Sequence, residues 1–181
     1  MQSSSDTKFR HRLRPVTSDA PSRSPDVTFT ESGAVNAAEL NELYWLIGWD
    51  RARRRTAAET VEMLRVSHYH IAAHAAGGTL VGFARVCGDP YVAQVLDVIT
   101  HPQYRCRGIA TRCMHGVLGH LQRSRYVSIT LTASSGLEGF YRRFGFQVLE
   151  EAALRWKCVG SVEKADVGGP RQPSVRRPRG G

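Results

Sequence analysis

The stretch Val95–Gln122, VLDVITHPQYRCRGIATRCMHGVLGHLQ, constrains this chain more than any other, because its apolar pattern changes from that of a strand to that of a helix within one short loop. Val95–Thr100 is β-branched and apolar apart from Asp97 and Thr100, the pattern of a mostly buried strand. His101-Pro102 ends it, since proline has no N–H to give a sheet ladder. Apolar residues then fall at Ile109, Cys113, Val117 and Leu121, flanked by Met114 and Leu118, and make one stripe of a helix. Between strand and helix lies Arg105-Cys106-Arg107-Gly108-Ile109-Ala110. A helix start leaves N–H groups unpaired and carries the positive end of the helix dipole. Arg105, Arg107 and the slim backbone of Gly108 there suit a phosphate group. No Gly-Lys-Ser/Thr follows and no G-x-G-x-x-G is present, so the loop is neither a Walker loop nor a dinucleotide fingerprint.

Around this stretch the chain reads as one domain. Val27–Glu31 is a first strand and Asn36–Ile47 a helix with Ala37, Leu40, Leu43, Tyr44 and Ile47 on its apolar stripe. Gly48-Trp49 breaks that helix, Arg51–Arg55 is a basic connector, and Thr56–Val66 is a second helix with Ala57, Val61 and Leu64 inward. Thr56 with Glu59 forms a capping box. Tyr69–Ala75 and Thr79–Val86 are strands joined by Gly77-Gly78, a hairpin signal. His68, His70 and His74 share one face of the first of these, with no nearby carboxylate or cysteine, and are read as a solvated face rather than a metal site. Gly88-Asp89-Pro90 turns the chain into the central strand, Tyr91–Thr100. After the long helix come a strand at Val127–Thr132 and a short helix at Leu137–Phe144 with Gly145 as its C-cap. A last pair of strands follows at Phe146–Glu150 and Ala153–Val159. The predicted class is α/β (α+β), a mixed sheet of about six to seven strands flanked by about four helices.

Composition bounds the rest. A length of 181 residues with 41% hydrophobic content suits one core. The folded domain is expected over residues 27–159, between a disordered Ser-, Arg- and Pro-rich tail at 1–26 and a disordered basic tail at 160–181. Asp6, Asp19, Asp26 and three prolines count against reading the first tail as a transit peptide. No run approaches the ~20 apolar residues of a membrane span, so no membrane association is expected. Four cysteines without a C-x-x-C argue against zinc and against a disulfide framework, and suit a reducing, cytoplasmic setting. More than half of the net charge of +9 sits on the tails, so a nucleic-acid surface on the fold is not expected.

Two motifs carry a family resemblance. Arg105–Ala110 reads R-x-x-G-x-A, and Gly139-Phe140-Tyr141-Arg142-Arg143-Phe144-Gly145-Phe146 follows at the usual separation and in the usual order. They resemble the Q/R-x-x-G-x-G/A and (F/L)-Y-x-x-x-G-F signatures of the GNAT superfamily of acetyl-CoA-dependent N-acetyltransferases, over residues 27–159. The pieces Ile47-Gly-Trp-Asp-Arg51, Leu80–Val86 with Asp89, Leu96-Asp-Val98 and Phe140-Tyr-Arg142 are similar to a narrower group. That group holds bacterial small-amine acetyltransferases and serotonin N-acetyltransferase-like proteins. The chain departs from the pattern at Cys106, where a small residue is usual, and at Ala110 for the last Gly. Ser134 or Ser135 stands where the family often has asparagine.

The resemblance implies a GNAT fold and a metal-free enzyme moving acetyl from acetyl-CoA to the primary amine of a small molecule by direct attack. Alternatives are a protein, peptide or aminoglycoside-type acceptor, or an acyl-CoA-binding module without chemistry; a homodimer is compatible with any of these. Arg105, Cys106, Arg107, Gly108, Ile109, Ala110 and Thr111 would meet the pyrophosphate, and Val98, Ile99 and Thr100 would run beside the pantetheine arm. The Val98 N–H would polarise the thioester carbonyl, and Ser134 would contact the cofactor. Tyr141 would be the general acid beside the sulfur. An ordinary alkylamine, with a pKa near ~10, must lose a proton before it attacks. Asp97 is the first candidate base and Asp89 the second, either acting through water. A mid-strand carboxylate such as Asp97 is costly unless solvated or paired, so a purely structural role stays open. Trp49, released by Gly48, and Trp45 are the candidate acceptor contacts, while Tyr44 belongs to the core.

Overall fold

The computed structural model describes residues 27–150. The two predicted tails and the strand expected at 153–159 lie outside the described residues. Five strands form one sheet in the order β1 (Val27–Glu31), β2 (Tyr69–Ala75), β3 (Leu80–Gly88), β4 (Val92–Thr100), β5 (Ser128–Leu131). All neighbours are antiparallel except β4 and β5, which are parallel and joined by the helix α3 (Ile109–Arg123). A parallel pair needs such a crossover, because a tight turn only reverses a chain. The helices α1 (Ala37–Leu46) and α2 (Ala57–Arg65) precede β2, and α4 (Glu138–Arg142) follows β5.

Local signals set the ends of these elements. Asn36 caps α1 through its Oδ1, and Thr56 and Glu59 close the predicted capping box on α2. Gly77 and Gly78, both at positive φ, turn β2 into β3. The sheet then divides the core. On one face Tyr69, Ile71, Val86 and Val95 pack against Ile109, Cys113, Met114 and Val117 of α3. On the other, Ala72, Leu80, Phe83 and Ile99 pack against Leu40, Leu43 and Tyr44 of α1. A Cβ on Gly82 would collide with Ile109 and press on Ala73, so this glycine lets the start of α3 sit close on the sheet.

Three expectations are corrected. In α2 Leu64 packs on the core as expected, but the most deeply buried residue is Thr60, 2% exposed, whereas Val61 is 56% exposed and Ala57 is also at the surface. The Thr60 hydroxyl donates to Asn41 Oδ1 at 2.6 Å, and this bond across to α1 favours turning Thr60 rather than Val61 inward. The histidines do not share a solvated face. His70 is buried with Nε2 2.9 Å from the Gly33 carbonyl, and His68 precedes β2 with Nδ1 2.8 Å from the Tyr126 hydroxyl. Residues 146–150 form no strand, because no ladder partner reaches them among the described residues.

Near the end of α3, the rings of His120 and Tyr69 stack with centroids 4.8 Å apart, and His120 Nε2 is buried without a hydrogen-bond partner among the described residues. Burial, then the positive charges of Arg123 and His68, hold His120 below the ordinary 6.5 of histidine. The folded state therefore favours neutral His120, while the unfolded chain takes up a proton below about pH 6.5. Its contribution to stability is present above that pH and is lost as pH falls towards the folded value. Urea midpoints should drop between pH 7.5 and 5.5, and His120→Phe, which keeps the stacked ring, should drop less. An equal drop in both proteins would remove His120 from the account.

Candidate active site

The pocket starts from an irregularity in β4. On the β3 side, Phe83 faces Ile99 and Arg85 faces Leu96, so the two residues between them on β4 oppose the single Ala84. This is a β-bulge, and Asp97 occupies it at φ 55°. On the β5 side the parallel ladder ends at Val95 opposite Leu131. From Leu96 to Thr100 the edge of β4 facing away from β3 has no ladder partner among the described residues, and β4 and β5 part.

A pocket of about 160 Å³ fills this gap, lined by Val95, Leu96, Asp97 and Val98 of β4 and by Leu131 and Thr132 from the end of β5. Trp49 borders it from the loop after α1, and Ser134, Leu137 and Tyr141 border it from the approach to α4 and from α4 itself. Of the residues expected from the sequence to act, the structure thus brings Trp49, Asp97, Val98, Ser134 and Tyr141 together.

Three of these side chains, Tyr141, Asp97 and Trp49, have an identifiable support. The Tyr141 ring meets Phe140 edge-on at 5.0 Å and Phe146 at 6.3 Å, and burial raises its phenol above the ordinary value. Asp97 is paired with Arg85, whose Nε donates to Asp97 Oδ2; the two side chains are only 14% and 12% exposed. Arg85 Nη1 also lies 2.7 Å from Cys87 Sγ. A buried carboxylate is tolerable on these terms. Arg85 was missed in the sequence, although a lone charge within the apolar run of β3 was the signal available.

Trp49 is 53% exposed and reaches the pocket because Gly48, at φ 82°, ends α1. The loop is then drawn around Asp50, whose carboxylate accepts from the N–H groups of Arg54 at 2.9 Å and Arg55 at 3.0 Å. Trp45 is not among the pocket residues; Arg53 stacks on its ring, 4.1 Å from the centroid, and pairs with Glu42. Asp89 is not among them either. Its Oδ1 accepts from the N–H groups of Tyr91 at 2.7 Å and Val92 at 2.9 Å, and these bonds hold its carboxyl below the usual range. The turn engages one oxygen of the carboxylate and leaves Asp89 outside the residues that line the pocket.

Beyond Thr100, a short 3₁₀ turn at Pro102–Tyr104 leads into Arg105, Cys106, Arg107 and Gly108, all exposed. Cys106 and Gly108 both have positive φ, at 60° and 76°. Gly108 is the N-cap of α3 and no side chain caps the helix there, so its first N–H groups are left to an outside partner. The Ile109 side chain is 2% exposed and anchors the helix in the core, so only its backbone can face a ligand, whereas Ala110 and Thr111 are half-buried. Thr100 Oγ1 is buried without a partner on the unpaired stretch of β4. An orphaned hydroxyl, an open strand edge and an uncapped helix start lie in sequence along one path. Together they fit an extended amide-bearing chain ending in phosphates.

A sheet parted beside such a path, with Tyr141 lining the gap, suits an acyl-CoA-dependent acyltransferase. Comparison with known proteins narrows the class: a family model described as "Acetyltransferase (GNAT) domain" matches residues 49–156. The chain belongs to the GNAT acetyltransferases, enzymes that use acetyl-CoA to acetylate amines. It is 28% identical over 122 residues to an uncharacterized N-acetyltransferase of Porphyra purpurea, covering 67% of this chain and 70% of that one. It is also 28% identical to serotonin N-acetyltransferase 2, chloroplastic, of Oryza sativa, covering 67% of this chain and 61% of that protein. Among solved structures, a GNAT family acetyltransferase of Streptococcus pneumoniae superposes with a TM-score of 0.60 at 25% identity, covering 74% of this chain and 98% of that one.

Proposed function

We propose that the enzyme acetylates the primary amine of a small molecule with an apolar or aromatic body, by direct attack on acetyl-CoA. The observation that carries this reading is the meeting of the Trp49 indole, the Asp97 carboxylate and the Tyr141 phenol where β4 and β5 part. An indole face attracts an aromatic ring or an ammonium by about 0.5–2 kcal/mol. The pocket is small beside the ~300–1,000 Å³ of a drug-sized ligand, which suits a thioester and the reacting end of a compact amine. The run Arg51–Arg55 beside Trp49, with Arg53 paired to Glu42 and Arg55 stacked on Tyr44, keeps a net positive rim that disfavours a polycation. The 28% identity to a serotonin N-acetyltransferase points the same way.

The residues divide the chemistry as follows. Acetyl-CoA supplies the activated acetyl group, its pyrophosphate held by the backbone of residues 108–111 with Arg105 and Arg107 nearby. Its pantetheine arm lies along Val98–Thr100. Asp97 attracts the ammonium. An ordinary alkylamine holds its proton up to a pH near ~10, and that proton leaves through water. The neutral nitrogen bonds to the acetyl carbon and the Val98 N–H donates to the developing oxyanion; the nitrogen then loses its second proton to water, and the C–S bond breaks to give the amide and a CoA thiolate that accepts a hydrogen bond from Tyr141 before it is protonated from solvent.

A panel of arylalkylamines, polyamines, aminoglycosides and peptides, read by release of free CoA thiol, tests the reading. Arylalkylamines should turn over fastest. Trp49→Ala should raise KM for the best of them about tenfold and leave KM for acetyl-CoA nearly unchanged. Turnover of aminoglycosides or peptides alone would overturn the acceptor assignment.

A further inference from the structure

We propose that Arg85 is a positioning residue for the acetyl transfer, holding one oxygen of the Asp97 carboxylate so that the other meets the incoming amine; this rests on reading the gap between β4 and β5 as the acceptor site. Asp97 lines the pocket and Arg85 is not among the lining residues. The guanidinium therefore acts on an amine only through the carboxylate.

The need for such a residue comes from the strand itself. Asp97 sits in the bulge of β4 at φ 55°, and a bulge disrupts the ladder around it. From Leu96 onward β4 also has no ladder partner on its β5 side among the described residues. The hold on the Asp97 side chain comes instead from β3, where Arg85 Nε donates to Asp97 Oδ2. The two side chains are almost wholly buried, so little water competes for that bond.

Arg85 is itself held at a second point. Its Nη1 lies 2.7 Å from Cys87 Sγ, two residues along the same strand. Cys87 Sγ lies 3.6 Å from the Ser67 hydroxyl, which donates at 2.8 Å to the Met63 carbonyl in the last turn of α2. A guanidinium is planar and rigid, so two engaged nitrogens fix its plane and the direction in which Nε donates. An ionised carboxylate only accepts hydrogen bonds, and it has two oxygens. With Oδ2 taken by Arg85, Oδ1 is the oxygen left for an ammonium. Guanidinium and substrate thus share one carboxylate, and the geometry of the first sets that of the second.

Steady-state kinetics of the full-length chain with the best amine of the panel test this. Arg85→Lys keeps the charge, but an ammonium is a point donor and does not span Asp97 and Cys87 as a planar fork does. It should lower kcat/KM for the amine about tenfold, with KM for acetyl-CoA within about twofold of wild type. Arg85→Met, which removes the charge as well, should lose at least as much. A merely structural role would move both substrates together, in step with a fall in thermal stability. An amine kcat/KM for Arg85→Lys within about twofold of wild type, or equal losses for the amine and for acetyl-CoA, would overturn the proposal, whether or not Arg85→Met folds. If Trp49→Ala still raises KM for the amine in that case, the acceptor site stands and only the role of Arg85 falls. If neither Trp49→Ala nor Asp97→Asn alters amine kinetics, the acceptor site falls with it.

Discussion

Tyr141→Phe is expected to lower kcat by about 10²–10⁴ while leaving acetyl-CoA affinity and stability nearly unchanged. The substitution is clean because the ring is held edge-on by Phe140 and Phe146, and phenylalanine repeats those contacts. Only the hydroxyl facing the pocket is removed. Burial raises this phenol above its ordinary value, whereas a thiolate leaving group resembles cysteine, near ~8.5. Full proton transfer from Tyr141 to sulfur is therefore uphill, and the phenol acts chiefly as a hydrogen-bond donor to charge developing on the sulfur. That places the expected loss towards the lower end of the range. Steady-state rates with the best amine, beside a thermal-shift titration with acetyl-CoA, separate the two effects. A kcat within a factor of about two of wild type would make Tyr141 a packing residue only.

Gly108→Val is expected to abolish stabilisation by acetyl-CoA. In the wild type, ligand at about a hundred times Kd adds roughly 2.7 kcal/mol to the folded state. A Cβ at Gly108 would meet no atom of the chain within 4 Å, so the substitution creates no internal clash. It acts in two other ways. Valine at a φ of 76° is strained, which should lower the stability of the ligand-free protein by about 1–3 kcal/mol. Its branched side chain also stands where a phosphate must approach the first N–H groups of α3. The ligand-free protein should melt somewhat earlier, and saturating acetyl-CoA should no longer move the transition. A full ligand shift in Gly108→Val would show that the phosphates bind elsewhere.

Much of this fold was legible because its signals are local. The capping box of Thr56 and Glu59, the left-handed pair Gly77-Gly78 and the stripe from Ile109 to Leu121 each act within one or two turns of chain. Where reading failed, a distant partner had intervened. The inward face of α2 depends on Asn41, 19 residues before Thr60 in sequence, and no period within α2 encodes that bond. Asp89 lies in a stretch that resembles the family's, yet its carboxylate is taken by the turn it occupies.

The sequence by itself determined the order of elements, the glycine-led loop at the head of α3 and, through two short motifs, the family and its acetyl donor. The elements and the loop follow from backbone freedom, capping and apolar period, which neighbouring residues settle among themselves; the family and donor follow from the resemblance of the two motifs. The tertiary structure alone decided which side chains share a pocket. Asp97 pairs with Arg85 across the β3–β4 ladder, 12 residues away, where a bulge adds one residue to β4. The gap that admits Trp49 and Tyr141 exists because the β4–β5 ladder ends at Val95 and Leu131. Register and strand divergence arise from the balance of many ladder bonds and packing contacts between segments far apart in the chain, and no local pattern carries that balance.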